Sequence, residues 1–247
     1  MSFSTSCRIR SVAVLAASVV GLTVTACSDG EATPEPLSAL VIGSEDVPDG
    51  FQVMPADVGE LIGGNRRTLE QAKTVEFTPA ECRPTADEAF SPGLTAGNTA
   101  LLVASSPAAT LSELVTTVRR DVDADRRAST GPCRVVTAEP TRGTLAGARI
   151  VTSTRELPPP VSAAAEQALV VRQDSVTTLV DGKVRVRSAL VATVLVRRPR
   201  GEIVTMQLSV VSANSGAHDG TPGTIEPPMD ESQFLTLVDE ATDRAAR

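Results

Sequence analysis

Candidate residues for acid–base catalysis occur in one short segment of the chain. His218 is the only histidine in 247 residues, and Asp219 follows it directly. A histidine oriented by an aspartate activates the serine of a hydrolase, but the sequence has no Gly-x-Ser-x-Gly turn to supply that serine. We therefore expect no catalytic residue and no enzymatic activity, with a hydrolase that uses His218 as the alternative.

Three aspartates are spaced like the beginning of a calcium-binding loop. Asp121, Asp123 and Asp125 occupy alternate positions, but Arg126 stands where such a loop requires glycine, and Pro132 stands where it requires glutamate. The single histidine also excludes a multi-histidine metal site within one chain. We therefore expect no metal and no cofactor. The aspartates are predicted to form a solvated helix face that neighbouring arginines balance.

Basic residues cluster at two places that we expect to lie at opposite ends of one strand. The clusters are Lys183, Arg185 and Arg187, and Arg197, Arg198 and Arg200. We favour ordinary strand-edge charges that discourage aggregation, with contact to a phosphate or an anionic glycan as the alternative. The net charge of −7 opposes non-specific binding to nucleic acid, and a 2% aromatic content leaves few rings to stack on bases. We expect no nucleic-acid partner.

The N-terminal residues have the form of an export signal. Arg8 and Arg10 precede an uncharged, largely apolar run at 11–28, and small residues stand before Cys27. The sequence Val-Thr-Ala-Cys at 24–27 fits the lipobox of bacterial lipoproteins, in which the cysteine is acylated and becomes the first residue. An uncleaved transmembrane anchor is the alternative.

This interpretation predicts the organisation and the location of the mature protein. We expect a signal peptide at 1–26, a lipidated Cys27 with a polar, proline-containing tether at 27–36, and a single domain at 37–247. Acyl chains such as palmitate would then hold the protein on the outer face of the cell membrane, in the cell envelope. The membrane is the first expected partner.

The cysteine count predicts a single disulfide. Cys7 leaves with the signal peptide and Cys27 carries the lipid, so Cys82 and Cys133 remain. Two cysteines in an exported chain most simply form a disulfide, and the sequence has no Cys-x-x-Cys motif that would favour a redox role.

Short elements are predicted before one long helix. The short elements are a helical turn at 37–43, strands at 51–54 and 73–77, and a turn at Gly63-Gly64-Asn65. The helix is predicted from Thr110 to Ala128, because Thr110 and Glu113 have the spacing of a capping box. Apolar residues then repeat on one face at Leu111, Leu114, Val115, Val118 and Val122.

A period of two replaces the helical period after Cys133. It predicts five consecutive strands at 134–139, 145–157, 167–180, 183–197 and 202–211. Asp181-Gly182 is typical of a tight hairpin turn, which makes its flanking strands antiparallel. Residues 189–196 are apolar on both faces, which predicts a central strand covered on both sides. Clean alternation at 204–210 predicts that one face of the last strand meets solvent or a groove.

The fold class that follows is α+β, an antiparallel meander with amphipathic helices packed on it. The last helix is predicted at 230–247, with Phe234 and Val238 on its apolar face. The connection 212–229 is long enough to be a binding loop. Its candidate binding residues are Asn214, His218 and Asp219.

The lipobox, the opening segment 37–51 and the Cys82 and Cys133 pair carry a family resemblance. Over residues 37–247 the chain resembles mycobacterial and related actinobacterial cell-envelope lipoproteins of unknown function. It is similar, more distantly, to the extracellular sensor domain of a mycobacterial Ser/Thr protein kinase. That resemblance implies an antiparallel sheet with helices and a cleft. The kinase sensor has two disulfides, whereas this chain has cysteines for one.

These observations together predict a non-catalytic, sensor-like domain held at the membrane. We expect it to bind an unknown envelope protein or a small ligand in a groove between the sheet and the 212–229 connection. A carrier of a lipid or another apolar ligand is the alternative, because the predicted faces are rich in Val, Leu and Ala.

Overall fold

Nine strands and four α-helices make up residues 35–213 and 224–247, which are the residues that the computed structural model describes. The strands are β1 (Gln52–Met54), β2 (Val75–Thr78), β3 (Thr99–Ser105), β4 (Ala109–Thr116), β5 (Val135–Pro140), β6 (Arg149–Glu156), β7 (Ala165–Thr178), β8 (Val184–Arg197) and β9 (Ile203–Ser212). The helices are α1 (Val58–Ala72), α2 (Ala86–Phe90), α3 (Val122–Ser129) and α4 (Glu231–Ala245).

The strands form one antiparallel sheet in the order β1-β3-β4-β9-β8-β7-β6-β5-β2. Strands β5 to β9 are consecutive neighbours, so the predicted five-strand meander is confirmed. The tight turn at Asp181-Gly182 is also confirmed, with the Leu179 N–H bonded to the Lys183 carbonyl and Gly182 at φ +82°. The α+β fold class is therefore correct.

Strand β8 lies at the centre of the sheet, as its apolar pattern predicts. Alternate residues point to opposite faces of a strand, so Leu190 and Leu195 lie on different faces of the sheet. Both are completely buried. A central strand covered on both sides accounts for the continuous apolar run at 189–196.

Helix α4 covers one face of the sheet. Asp230 caps this helix by accepting hydrogen bonds from the Ser232 and Gln233 N–H groups, and Phe234 and Val238 are completely buried against the sheet. The N-terminal segment 37–47 packs on the same face and contributes Leu40 and Ile42 to this core. The predicted C-terminal helix is confirmed.

Helices α1, α2 and α3 lie on the other face. Val122 of α3 packs on Leu169 and Leu195, and Phe90 of α2 packs on Leu94 and Leu114. A disulfide joins Cys82 to Cys133, with Cα atoms 5.3 Å apart, as the cysteine count predicts. This face therefore has two smaller apolar clusters where the α4 face has one continuous core.

The predicted helix from Thr110 to Ala128 is wrong over its first half. Residues 109–116 form strand β4, and only Val122–Ser129 is helical. The supposed capping residue Glu113 points into the core of the α4 face and is completely buried. Because β4 is buried on both faces between β3 and β9, its apolar residues are nearly continuous, and such a run imitates a helical stripe.

The predicted turn at Gly63-Gly64-Asn65 is also wrong, because these residues lie inside helix α1. The Asp57 carboxylate accepts a hydrogen bond from the Glu60 N–H at 2.8 Å and so begins the helix. Strand β3 was not predicted at all. It pairs with β4 along its full length, from Thr99 opposite Thr116 to Ser105 opposite Thr110.

Several predictions fall on residues 1–34 and 214–223, which lie outside the described residues. They are the signal peptide at 1–26, the lipidated Cys27, most of the tether, and the binding residues Asn214, His218 and Asp219. Within residues 35–213 and 224–247, no helix combines the length and the hydrophobicity needed to cross a bilayer.

Candidate functional site

A groove separates helix α1 from the sheet. It has a volume of about 280 Å³ and is walled by α1 and α2 over β3, β4, β8 and β9. We call it the α1 groove. Its apolar lining is Leu61, Leu69, Phe90, Leu94, Leu101, Val103, Leu114 and Val191. These side chains surround a concave space large enough for part of a small molecule.

A row of polar side chains crosses the floor of the α1 groove. Ser112 of β4 and Ser209 of β9 stand opposite each other in the sheet, and their hydroxyl oxygens are 2.8 Å apart. Gln207, two residues along β9, donates a hydrogen bond to Thr193 at 3.4 Å. The sequence predicts that one face of the alternating strand at 204–210 meets solvent or a groove, and the structure places Gln207 and Ser209 in a groove. The row gives the floor of the groove neutral donors and acceptors, and Asn65, Thr68 and Ser91 add others on the walls.

A buried arginine holds one wall of the α1 groove in place. Arg120 is 8% exposed, donates to Asp125 at 2.6 and 2.8 Å and to Asp87 at 2.6 Å, and lies 4.9 Å from the centre of the Phe90 ring. Burial opposes the charge of Arg120, but the hydrogen bonds and charges of both aspartates outweigh it and raise the pKa of the guanidinium. The network joins α2 to α3.

A second cavity, of about 370 Å³, adjoins the α1 groove and extends across β8 to β7. Val191 and Ser209 line both cavities. We call the second one the Arg187 cavity, because Arg187 is the one charged residue that the described part of the chain contributes to its lining. The rest of the lining is Gln173, Ser175, Ser188, Ala189, Val191, Ser209 and Val211. It is more polar than the α1 groove.

The two predicted basic clusters differ in their partners. At the far end of β8, Arg197 pairs with Glu166, and Arg198 pairs with Glu202 at 3.0 Å. At the near end, Lys183 pairs with Asp181 at 3.0 Å. Arg185 and Arg187 are exposed and make no ion pair within residues 35–213 and 224–247. These two guanidinium groups are therefore available for an anion.

Two of the three aspartates with calcium-like spacing have structural roles, and Asp123 is exposed. Asp121 accepts a hydrogen bond from the Ala124 N–H at 2.8 Å and caps helix α3, while Asp125 pairs with Arg120. Arg127 lies 3.8 Å from Asp121. The described part of the chain contains no group of three or more potential metal ligands of the His, Cys, Asp or Glu type.

A buried carboxyl group lies on the opposite face of the sheet, beneath the N-terminal segment. One oxygen of Glu113 accepts a hydrogen bond from the Ile42 N–H at 2.7 Å, and the other has no hydrogen-bond partner. Burial, with a smaller contribution from the nearby charge of Asp46, raises the pKa of Glu113 to about 8. The hydrogen bond from Ile42 and the charge of Arg244 act in the opposite direction and lower this pKa. Arg244 in turn pairs with Asp46 at 2.7 Å.

A further cavity, of about 620 Å³, lies at the sheet edge beside β1. Its lining contains no charged residue, and Val53 and Met54 are both 47% exposed there. Leu101 borders this cavity as well as the α1 groove. Because it has no polar side chain beyond Ser38 and Thr99 to orient a ligand, we assign the site to the α1 groove.

Sequence reasoning anticipated a groove but not its walls. The predicted wall was the 212–229 connection, whereas the described part of that connection does not line the α1 groove or the Arg187 cavity. The signal for the true wall was Asp57-x-x-Glu60, which has capping-box spacing, followed by Leu61 and Leu69. Gly63 and Gly64 lie in the middle of this helix, and because glycine pairs are typical of turns, the pattern predicted a turn there.

No protein-family model matches the sequence, and no curated protein is significantly similar to it. Among solved structures, the chain is similar to the X-ray structure of an uncharacterised protein from Mycobacterium smegmatis. The two are 14% identical, the comparison covers 82% of this chain and 93% of the other, and the TM-score is 0.46. We therefore infer function from the site and the sequence.

Proposed function

We propose that this protein is a membrane-anchored envelope lipoprotein whose domain binds a ligand in the α1 groove without catalysing a reaction. The observation that carries the proposal is the contrast within that groove. Eight apolar side chains line its walls, and Ser112, Ser209 and Gln207 form a polar row on its floor. Binding sites for small molecules typically combine apolar walls with a few placed polar groups.

The anchor is argued from the N-terminal sequence. The lipobox at 24–27 supplies Cys27 for acylation, and the polar residues that follow it reach the first helical turn at Leu37. Two or three acyl chains hold a protein at a bilayer far more firmly than one. The domain would then stay within a short tether of the membrane surface, where amphiphilic ligands are concentrated.

A carrier of lipid or another apolar ligand is the second candidate, and the apolar walls of the α1 groove favour it. A hydrolase that uses His218 stays a third hypothesis, because His218 lies outside the described residues. Loss of an esterase activity on His218→Ala would support the hydrolase. Unchanged activity in that variant would remove it.

The test is native mass spectrometry of the full chain, extracted gently from the membranes of its source. We expect a non-covalent adduct of defined mass on the parent protein. Val191 lies at the junction of the two cavities and is only partly buried, so Val191→Phe should place a ring in the groove and remove the adduct.

Val161→Phe is the matched control, because Val161 is 88% exposed and lines neither cavity. This variant should keep the adduct. An equal adduct in both variants, or none on the parent, would contradict the proposal. Denaturation midpoints show whether Val191→Phe is folded, and Ser209→Leu at the same junction replaces it if it is not.

A further inference from the structure

We infer that the α1 groove and the Arg187 cavity form one site for an anionic amphiphile, with its apolar chain under α1 and its phosphate or carboxylate head at Arg187 and Arg185. This inference rests on the proposed function and names the class of ligand. Its basis is the adjacency of two cavities, the second more polar than the first, and the two guanidinium groups of Arg185 and Arg187, which make no ion pair with any described residue.

The two cavities adjoin through a shared lining. Val191 on β8 and Ser209 on β9 border both, and we call the two cavities together the channel. The channel crosses five adjacent strands, β3-β4-β9-β8-β7. At about 4.8 Å between neighbouring strands, it extends for roughly 19 Å. An elongated ligand fits this shape better than a compact one.

The lining becomes more polar along the channel. Under α1 the walls combine Leu and Val side chains and Phe90 with Asn65, Thr68 and Ser91, while the far end presents Gln173, Ser175 and Arg187. A ligand with one apolar and one polar end matches both parts without leaving a buried polar group unpaired.

Charge at the polar end selects an anionic head. Arg187 stands opposite Ser175, and Arg185 stands opposite Thr177, so each guanidinium has a hydroxyl across the strand pair. The nearby carboxylate of Asp181 is already paired with Lys183. A forked guanidinium together with a hydroxyl is a suitable receptor for phosphate or carboxylate oxygens.

The opposite end of the channel offers no such receptor. Among the described residues that line the α1 groove, Asp87 is the one with a charge, and it is paired with Arg120. An anionic head placed there would meet a carboxylate, whereas an apolar chain meets Leu61, Leu94 and Leu101. The ligand is therefore oriented with its anionic head toward Arg187 and its apolar chain under α1.

The experiment uses the full chain in a nonionic detergent with dodecyl phosphate, dodecanol or inorganic phosphate as probes, and native mass spectrometry measures occupancy. We expect dodecyl phosphate to bind most tightly. The double variant Arg185→Gln with Arg187→Gln should weaken its binding about tenfold or more, because each charge-assisted hydrogen bond is strong. Dodecanol binding should change little.

Arg149→Gln is the matched control, because Arg149 is an exposed strand arginine on the α4 face of the sheet. It should bind dodecyl phosphate like the parent. If the double variant binds dodecyl phosphate as tightly as the parent does, the inference is overturned. The proposed function would still stand in that case if Val191→Phe abolished binding of both dodecyl probes. Binding that survives Val191→Phe would overturn both. Inorganic phosphate that binds as tightly as dodecyl phosphate would overturn the amphiphile.

Discussion

The two faces of the sheet are built from the same strands and differ in how they are covered. On the α4 face, Leu190, Met206 and Leu208 are completely buried beneath α4 and the N-terminal segment. On the α1 face, the residues between them include Val191 and Gln207, which are partly exposed in the α1 groove. One face is a continuous dry core, and the other keeps an open channel.

Under the proposed function, stability and binding are assigned to opposite faces of one sheet. Alternation along a strand makes the division possible, because consecutive side chains serve different faces. The α4 face supplies the large apolar area that a stable fold requires. The α1 face is then free to retain hydroxyl and amide groups that a fully packed core would exclude.

The largest expected effect comes from the centre of the α4 face. Phe234→Ala removes a completely buried ring and leaves a cavity among well-packed neighbours. We expect a loss of about 4 kcal/mol in the free energy of unfolding, measured by urea denaturation. A loss below about 1 kcal/mol would contradict the view that this face carries the stability.

The disulfide tests the stability of the α1 face. Cys82 and Cys133 are 51 residues apart in the sequence. Replacing both with serine removes the cross-link and gives the unfolded chain more conformational freedom. We expect a loss of about 3–4 kcal/mol, measured by denaturation without reductant. Reductant should destabilise the parent by a similar amount and leave the double variant unchanged. A parent that is insensitive to reductant would show that the bond adds nothing.

Glu113 gives the α4 face a dependence on pH. Because burial raises the pKa of Glu113 from 4.5 to about 8, the folded protein holds a proton that the unfolded chain releases. Stability is therefore fully present below pH 4.5 and falls as pH rises through 8. We expect the parent to lose about 2 kcal/mol between pH 6 and pH 8, and Glu113→Gln to lose much less. If the parent and Glu113→Gln lose equal stability over this pH range, Glu113 is not the group that causes the loss.

The smallest expected effect on stability belongs to the wall of the α1 groove. Leu69 is partly buried on α1, so Leu69→Ala should cost about 1 kcal/mol in the free energy of unfolding. Ligand occupancy, measured by native mass spectrometry, should nevertheless fall because an apolar contact is lost. A variant with lower stability and unchanged occupancy would place the ligand elsewhere.

Local sequence patterns predicted the meander and the last helix but not the walls of the groove. Asp181-Gly182 fixes a hairpin through its own backbone preferences, and Asp230 caps α4 locally. The β4 strand depends instead on neighbours distant in sequence, since the carboxyl group of Glu113 is bonded by the N–H of Ile42, 71 residues away. The hydrophobic periodicity of a segment does not indicate which distant residues will pack against it.

The candidate site was predictable in kind but not in position. Alternation at 204–210 indicated a face toward solvent or a groove, and Lys183, Arg185 and Arg187 indicated an anion contact as an alternative to edge charge. The location depends on α1, whose glycines at 63 and 64 disfavour a helix by local preference. The helix forms nevertheless, because Asp57 caps it and Leu61 packs against the apolar cluster of Phe90, Leu94 and Leu114.

Amide hydrogen exchange of the full chain, with and without dodecyl phosphate or dodecanol, tests the division between the two faces most directly. We predict that either probe slows exchange in peptides that cover α1 and β3 and leaves α4 unchanged, because the ligand lies under α1 and the α4 face is already closed. Protection at α4, or no protection in α1 and β3, would contradict this account.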